Sequence, residues 1–346
     1  MTTIAVGTRK GLFRVIDGEV VDHHFAGIPV TLVLCNGDRW FAAIEHGHFG
    51  PKIHRSDDAG STWVEVGAPH FPVVDEGEDG PSVQTIWALE GGETLWCGTI
   101  PGGLFRSDDQ GGSWSLVESL WDRPERKDWF GGGADEPGIH SICIDPRDAK
   151  RLRIGISCGG VWETRDDGAS WALKAKGMRS DFMPPERRED QNIQDPHCIV
   201  QSPSNPDVFW CQHHCRAYRS IDDGESWQAI EVPPSSFGFP VRVHPKDADT
   251  AWYVPATHDD MRIPVEGQVV VARTRDGGAS FEVLREGLPQ MHAYDLVFRH
   301  ALDVDGTGDQ LAFGSTTGTL WRTEDGGDTW ITVSNHLPPI YAVRFA

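Results

Sequence analysis

The chain has 346 residues and a formal net charge of −21, and 38% of its residues are hydrophobic, with 14 tryptophans among them. This length and composition allow a sizeable core without forcing two domains, because large all-β propellers are single units. The strong negative charge repels phosphate backbones, so we expect no nucleic acid partner.

The N-terminal stretch MTTIAVGTRKGLFRV lacks the basic and then apolar segment of a secretion signal. No apolar run reaches the roughly 18 residues that a membrane span needs, so we expect no membrane partner. The chain has seven cysteines, an odd number with no regular framework. These features predict reduced thiols and a cytoplasmic location, and they leave the oligomeric state open.

One acidic turn returns six times along the chain, each time after a short apolar strand. The copies, called the acidic turns below, are RSDDAGSTW (55–63), RSDDQGGSW (106–114), TRDDGASW (164–171), RSIDDGESW (219–227), TRDGGASF (274–281) and RTEDGGDTW (322–330). An Asp side chain can accept hydrogen bonds from amides of its own turn, and Gly permits a positive φ. We therefore interpret the acidic turns as folding devices rather than as six catalytic sites.

The repeat predicts an all-β fold, a single seven-bladed β-propeller with four strands in each blade. The apolar residues before successive turns are 41 to 57 residues apart. The segment KGLFRVIDGEVV supplies a seventh unit, which has the strand but only a degenerate form of the turn. The final IYAVRFA has no following strands, so we expect it to close the ring as innermost strand A beside N-terminal strands B to D. The predicted blades are 340–346 with 3–25, 28–67, 82–118, 138–175, 196–232, 237–286 and 292–334.

The acidic turn resembles the Asp-box, or bacterial-neuraminidase repeat, with the pattern S-x-D-x-G-x-[ST]-W. Over nearly its whole length the chain resembles bacterial Asp-box propellers commonly labelled exo-α-sialidase. The matching segments are VGTRKGLFRV (6–15), HGHFGP (46–51), LWDRPERKDWFGGG (120–133) and FGFPVRVHP (237–245). The resemblance implies turns at the periphery, away from the active site. A sialidase-like activity would need an arginine triad, for which the candidates are Arg9, Arg242 and Arg262.

Propellers bind ligands where the D–A and B–C loops converge over the channel, an end that we call the mouth. Alignment of the strand ends places several imidazoles, thiols and carboxylates there. The catalytic candidates are His140, His197, His213, His258 and Glu45. The candidate metal ligands are His140, His197, His213 and His214, with Cys158 and Cys215 nearby. Further carboxylates are Glu136, Asp195, Asp259 and Asp260. The candidate substrate contacts are Arg9, His46, Gln84, Trp129, Tyr294 and Tyr341. Long loops over the same face are predicted at 67–82, 118–139, 175–196 and 256–268.

Converging imidazoles with a carboxylate suit one divalent transition metal, Zn, Fe or Cu, and they equally suit acid–base chemistry without a metal. We therefore favour an enzyme, a hydrolase, a lyase or a metal-dependent enzyme, that acts on a small organic molecule in a His-rich pocket. A glycoside hydrolase with a carbohydrate ligand is the first alternative. A non-catalytic scaffold that binds proteins through Trp121, Trp129 and Phe130 is the second. The simplest alternative is that the same side chains line a water-filled channel, where each bonds to water or to the backbone.

Overall fold

The computed structural model describes residues 2–73 and 80–346, so residues 74–79 of the predicted loop 67–82 lie outside the described residues. Within this part of the chain, seven four-stranded antiparallel sheets stand in a ring, which confirms the seven-bladed all-β propeller. In the same part, none of the helices has the length and apolarity that a membrane crossing would need.

The strands of each blade follow from the innermost strand, A, to the outermost, D. Blade one comprises Ile340–Phe345, Thr3–Thr8, Gly11–Ile16 and Glu19–His24. Blade two comprises Val30–Asn36, Arg39–His46, Gly50–Ser56 and Val64–Val66. Blade three comprises Thr85–Gly91, Leu95–Ile100, Leu104–Ser107 and Ser115–Leu116. Blade four comprises Ile139–Ile144, Leu152–Ile156, Gly160–Thr164 and Ala172–Leu173. Blade five comprises Pro196–Gln201, Phe209–His213, Ala217–Ser220 and Gln228–Ile230. Blade six comprises Gly238–His244, Asp247–Pro255, Val271–Thr274 and Glu282–Leu284. Blade seven comprises Leu302–Val304, Leu311–Gly314, Leu320–Thr323 and Ile331–Ser334.

The C-terminal strand closes the ring as predicted. Ile340–Phe345 pairs antiparallel with Thr3–Thr8, so the first blade takes strand A from one terminus and strands B to D from the other. Strand A of each blade also contacts strand A of the next blade all the way round. The channel is therefore lined by strand A residues, and side chains at the start of these strands face the mouth.

The acidic turns share one hydrogen-bond pattern. Asp58 accepts hydrogen bonds from Ser56 Oγ at 2.7 Å, from Thr62 N at 2.8 Å and from Thr62 Oγ1 at 2.7 Å. The same pattern recurs at Asp109, Asp166, Asp222, Asp276 and Asp325. Gly60 has a φ of 80°, and a Cβ there would lie 2.6 Å from the Trp40 ring, so the turn requires glycine. Each turn joins strand C to strand D at the end of the ring opposite the mouth, which fits a structural role.

Large aromatic side chains fill the space between blades. Trp40, Trp96, Trp210 and Trp252 each stand on strand B of their blade and are at most 1% exposed. Buried aromatic rings of this size dominate the stability of a core. The rigid frame that they create holds the loops of the mouth in place.

The loops around the mouth are long and carry only short helices. Residues 117–138 contain the helix Glu118–Trp121 and the 3-10 helix Pro124–Asp128, and residues 174–195 contain the 3-10 helices Pro185–Arg187 and Gln191–Ile193. The loop after strand B of blade six contains the 3-10 helix Val265–Gly267. In blade seven, strand A begins only at Leu302, after a segment without regular strand structure.

Candidate functional site

Three polar side chains of blade five meet at the mouth. Strands A and B of this blade pair Pro196 with His213, so Asp195 and His214 are the next opposite residues, and His214 N donates to Asp195 O at 2.9 Å. His197 lies two residues along strand A from Asp195. One ligand atom from each of Asp195, His197 and His214 lies within 4.8 Å of the others. We call these three residues the mouth cluster.

Asp195 is the buried centre of the mouth cluster, with 2% of its surface exposed. Its Oδ1 accepts hydrogen bonds from Cys158 N at 3.1 Å and from Ser157 Oγ at 3.3 Å. Burial alone would raise the pKa of this carboxyl, but its hydrogen bonds and the surrounding imidazoles outweigh burial and hold the pKa well below its usual range. Asp195 is therefore a carboxylate at neutral pH, and its Oδ2 faces the two imidazoles.

The tautomer of His197 follows from its hydrogen bond to the backbone. Its Nδ1 lies 2.7 Å from Gly238 O, and because a carbonyl only accepts, Nδ1 must carry the proton. Burial lowers the pKa of His197, so the ring is neutral and Nε2 presents a lone pair. That Nε2 lies 3.6 Å from Asp195 Oδ2, so two acceptor atoms face each other. A cation between them would satisfy both.

His214 connects the mouth cluster to a second carboxylate. Its Nδ1 lies 3.2 Å from Asp195 Oδ2, and its Nε2 lies 3.7 Å from Asp259 Oδ2. The ring packs edge-on against Phe182 and Phe237, which restricts its orientation. A carboxylate behind an imidazole is the usual arrangement for orienting a histidine that binds a metal through its other nitrogen.

Other predicted metal ligands lie outside the mouth cluster. The ring of His213 is fully buried, with Nε2 at 3.1 Å from Asp195 N and Nδ1 at 3.1 Å from Cys215 N. Both nitrogens thus face backbone amides of blade five, and burial lowers the pKa of His213 to about 3. The thiol of Cys215 accepts a hydrogen bond from Asp181 N at 3.2 Å. Burial raises the pKa of the Cys158 thiol, which lies beside Asp195 and stays protonated.

Two further candidates are buried and lie outside the mouth cluster. His140 is fully buried, its Nδ1 lies 2.9 Å from Ser141 Oγ, and the residue is among those that line a cavity deeper in the channel. Trp129 is 7% exposed, donates to Asn192 Oδ1 at 2.9 Å and packs against Trp162. Trp129 is therefore a support of the loop, and the predicted apolar surface around it is reduced in the structure.

The remaining predicted residues are distributed around the rim of the mouth. Glu45 accepts a hydrogen bond from Thr85 Oγ1 at 2.8 Å, and His46 packs against Phe49. Burial raises the pKa of Tyr341, whose charged neighbours are Arg9 and Glu45. These groups stand on blades one and two, away from the mouth cluster on blade five. The exposed residues of the rim are Arg9, Gln84, Glu136, His258, Asp260 and Tyr294.

The three candidate arginines of a carboxylate clamp do not converge. Arg262 pairs with Asp259, with Nε at 3.1 Å from Oδ1, and its guanidinium lies 5.6 Å from the centre of the Phe239 ring. Arg242 lies in the cavity deeper in the channel, next to Asp303. A triad built from Arg9, Arg242 and Arg262 is therefore not present among the described residues.

Sequence reasoning missed Arg299, which lies beneath the mouth cluster. Its Nε donates to His197 O at 2.7 Å, and its guanidinium lies 4.2 Å from the centre of the Trp87 ring and 5.7 Å from that of Phe239. Phe239 in turn stacks on His197 with 4.6 Å between ring centres. Arg299 escaped notice because the alignment started strand A of blade seven near Tyr294. The sequence RHALDV, an apolar strand that starts a few residues later, was the available signal.

No family model matches the chain. An oligoxyloglucan-reducing end-specific xyloglucanase from Emericella nidulans is 32% identical over 80 residues, which are 23% of this chain and 9% of that enzyme. The GH74 xyloglucanase from Xanthomonas campestris has a TM-score of 0.66 at 16% identity, over 96% of this chain and 52% of that one. An ancestral GH74 enzyme has a TM-score of 0.60 at 14% identity, over 92% of this chain and 38% of that one.

A protein solved in complex with a peptide has a similar fold. YCF48 bound to D1 peptide has a TM-score of 0.56 at 16% identity, over 92% of this chain and 88% of that one. At these identities the likeness is one of fold, and the chain spans about half or less of the glycoside hydrolases that it resembles. The structural neighbours therefore include glycoside hydrolase propellers and a propeller that binds a peptide.

Proposed function

We propose that the mouth is the active site of a metal-dependent enzyme that acts on a small organic molecule. Asp195, His197 and His214 would hold one divalent transition metal, Zn, Fe or Cu. The observation that carries the proposal is the pair of acceptors, His197 Nε2 and Asp195 Oδ2, which face each other 3.6 Å apart. With a neutral ring and an ionised carboxyl, a divalent cation between the two atoms would satisfy both.

The spacing of the ligand atoms fits a metal. Ligand atoms at about 2.1 Å from a tetrahedral ion lie about 3.4 Å from each other. The two separations from Asp195 Oδ2 to the imidazole nitrogens are 3.2 and 3.6 Å. Two imidazoles with one carboxylate leave a coordination position for water or substrate, as catalytic sites require. Gly238 O and Asp259 would orient the two imidazoles from behind.

A bound metal would supply Lewis acid activation of a water or of a substrate oxygen. The side chains around it would set the orientation of the substrate. Phe182 and Phe237 form an apolar wall beside His214, and Arg262 offers a positive charge over Phe239. A small molecule with an apolar face and several oxygens fits these walls best. The seven free thiols support a reducing compartment.

Glycoside hydrolysis is the second candidate, and the comparisons favour it. Three of the four similar proteins named above are xyloglucanases or GH74 enzymes. This mouth also presents two carboxylates, Asp195 and Asp259, on either side of His214. In a two-carboxylate mechanism Asp195, with its lowered pKa, would be the base or nucleophile and Asp259 the proton donor. The ligand would then be a carbohydrate.

One activity panel separates the two candidates. Chromogenic esters, phosphoesters, lactones and glycosides are assayed with untagged protein before and after removal of metal by a chelator. The metal-dependent enzyme loses turnover on chelation, regains it with added Zn²⁺, Fe²⁺ or Cu²⁺, and fails in His214→Ala. The glycosidase cleaves glycosides alone, resists chelation and fails in Asp259→Asn. Turnover that survives both the chelator and His214→Ala would overturn the metal proposal.

A further inference from the structure

A guanidinium group occupies the axis of the channel just beneath the mouth cluster. Arg299 belongs to the segment of blade seven that precedes Leu302–Val304, and its Nε donates to the backbone oxygen of His197, in blade five, at 2.7 Å. Its Cζ lies 4.2 Å from the centre of the Trp87 ring, which stands on strand A of blade three. Blades three and seven are on nearly opposite sides of the ring. A side chain that joins them and also reaches blade five must cross the channel axis.

The positive charge of Arg299 has no carboxylate in contact with it among the described residues. Its Nε donates to His197 O, whereas neither Nη atom donates to a described residue. Asp195 attracts the guanidinium, but no hydrogen bond joins the two side chains, and the charge of Arg262 already pairs with Asp259. Burial lowers the pKa of Arg299 to about 10, so the group remains a cation at neutral pH. A cation at this depth without a counter-charge in contact is costly, and a bound anion would remove that cost.

The free edge of the guanidinium is accessible from the mouth. Arg299 keeps part of its surface exposed, and neither Nη atom is among the fully buried polar atoms that lack a partner. Arg299 and Trp87 are both absent from the described residues that line the deeper cavity, so the exposed surface of Arg299 faces the mouth. Phe239 lies between this group and the mouth cluster, since its ring centre is 5.7 Å from the guanidinium and 4.6 Å from that of His197. A ligand that enters the mouth would therefore meet the Nη atoms at its base.

From this geometry we propose that Arg299 is the anion-binding residue of the mouth and that the substrate is a small organic acid. The guanidinium lies over an aromatic ring, which leaves its Nη edge for a bidentate pair with a planar carboxylate. A singly charged carboxylate fits better than a doubly charged phosphate, because Asp195 and Asp259 add negative charge to the mouth. The inference rests on the proposed function: the substrate would present its carboxylate to Arg299 and a second oxygen to the metal.

The test is ligand binding by the full chain, measured by calorimetry with acetate, benzoate, lactate and 2-oxoglutarate as probes and inorganic phosphate as the competing anion. At least one carboxylate should bind at one site, and Arg299→Met should weaken it about tenfold or more, the effect of a lost charged hydrogen bond. Arg299→Lys keeps the charge without the planar fork and should weaken binding less than Arg299→Met. Arg275→Met removes a guanidinium from an exposed position and should leave binding unchanged.

A second variant locates the anion without removing Arg299, which matters if Arg299→Met does not fold. Trp87→Phe keeps an aromatic ring under the guanidinium. Binding of the carboxylate to the unmodified protein should change its tryptophan fluorescence. In Trp87→Phe this change should be largely lost while the affinity measured by calorimetry stays within about threefold. A fluorescence change that Trp87→Phe leaves intact would place the anion elsewhere and overturn the proposal.

Chelation separates this inference from the proposed function. Removal of the metal should weaken lactate and 2-oxoglutarate, which offer a second oxygen, more than benzoate. Binding that chelation leaves unchanged but Arg299→Met weakens would keep Arg299 as the anion site and count against the metal. Binding that chelation weakens but Arg299→Met leaves unchanged would keep the metal and refute the role of Arg299. Failure of all four carboxylates to bind below about 10 mM, or tighter binding of phosphate than of each of them, would also refute the ligand class.

Discussion

Asp145 links the two blades that frame the mouth cluster, and its replacement should make stability depend on pH in a defined way. The carboxylate is 4% exposed, and it accepts hydrogen bonds from Arg147 N and Nε at 2.9 Å and from Arg151 Nη1 at 3.3 Å. Both arginines also reach blade five, where Arg147 contacts Asp207 and Arg151 contacts Asp223. Asp145 therefore fixes the ion pairs between blades four and five.

The size of the effect follows from the pKa of Asp145. Burial would raise this pKa, but the hydrogen bonds and charge of Arg147 outweigh it and lower the pKa from 3.8 to about 2. At 1.36 kcal/mol per pKa unit, this lowering of the pKa corresponds to about 2 kcal/mol of folding free energy. That figure already includes a modest reduction for solvent screening, because Arg147 is 44% exposed. Because the pKa is lower in the folded state, the stabilisation is complete above about pH 4. It is lost as the pH falls towards about 2.

Urea unfolding measures this contribution directly. Asp145→Asn should lower the free energy of unfolding by about 2 kcal/mol at neutral pH, and the difference from the unmodified protein should close between about pH 4 and about pH 2. Asp38→Asn, at an exposed position, should change stability little at any pH. A difference that stays constant over this pH range, or widens on acidification, would refute the reasoning, because the ionised carboxylate would not be its source.

Four other substitutions separate structural from functional residues. Asp325→Ala removes three hydrogen bonds from an acidic turn, so scanning calorimetry should show a melting temperature lower by a few degrees while metal affinity is unchanged. His213→Ala should destabilise the fold by about 2 kcal/mol in urea unfolding, because it leaves a buried backbone amide unpaired. His214→Ala should instead lower metal affinity at least tenfold with little effect on stability. Trp129→Ala should cost about 3 kcal/mol in the same unfolding assay, because the ring is buried, and a protein in which it alters only KM would contradict our assignment.

The repeats made the fold predictable from sequence, because one turn marks every blade except the first. Ring closure also followed, since a lone final strand and a first blade without strand A complement each other. Strand A of blade seven was harder to predict. The segment before Leu302 forms no regular strand, so composition alone gave no strand boundary there, and Arg299 was overlooked.

The site was only partly predictable because adjacent residues at the end of a strand face opposite ways. His213 and His214 are neighbouring residues of the same type, so the sequence does not distinguish them. The ring of His213 nevertheless contacts backbone amides within blade five, whereas that of His214 faces the Asp195 carboxylate. His140 aligns with His197 at the start of strand A, but it lies outside the mouth cluster and among the residues that line the deeper cavity. Side-chain direction at these irregular strand starts depends on the bulge in each strand pair, which spacing does not reveal.

Metal content of the untagged protein tests the central claim most directly. Elemental analysis after purification in metal-replete medium should give about one equivalent of Zn, Fe or Cu per chain. Asp195→Asn should bind little metal, because it removes the only carboxylate that faces both imidazoles of the mouth cluster among the described residues. His258→Ala, which removes an exposed imidazole on the neighbouring loop, should keep its metal. Equal metal content in the unmodified protein and in Asp195→Asn, or no uptake of any of the three metals by either, would contradict the account.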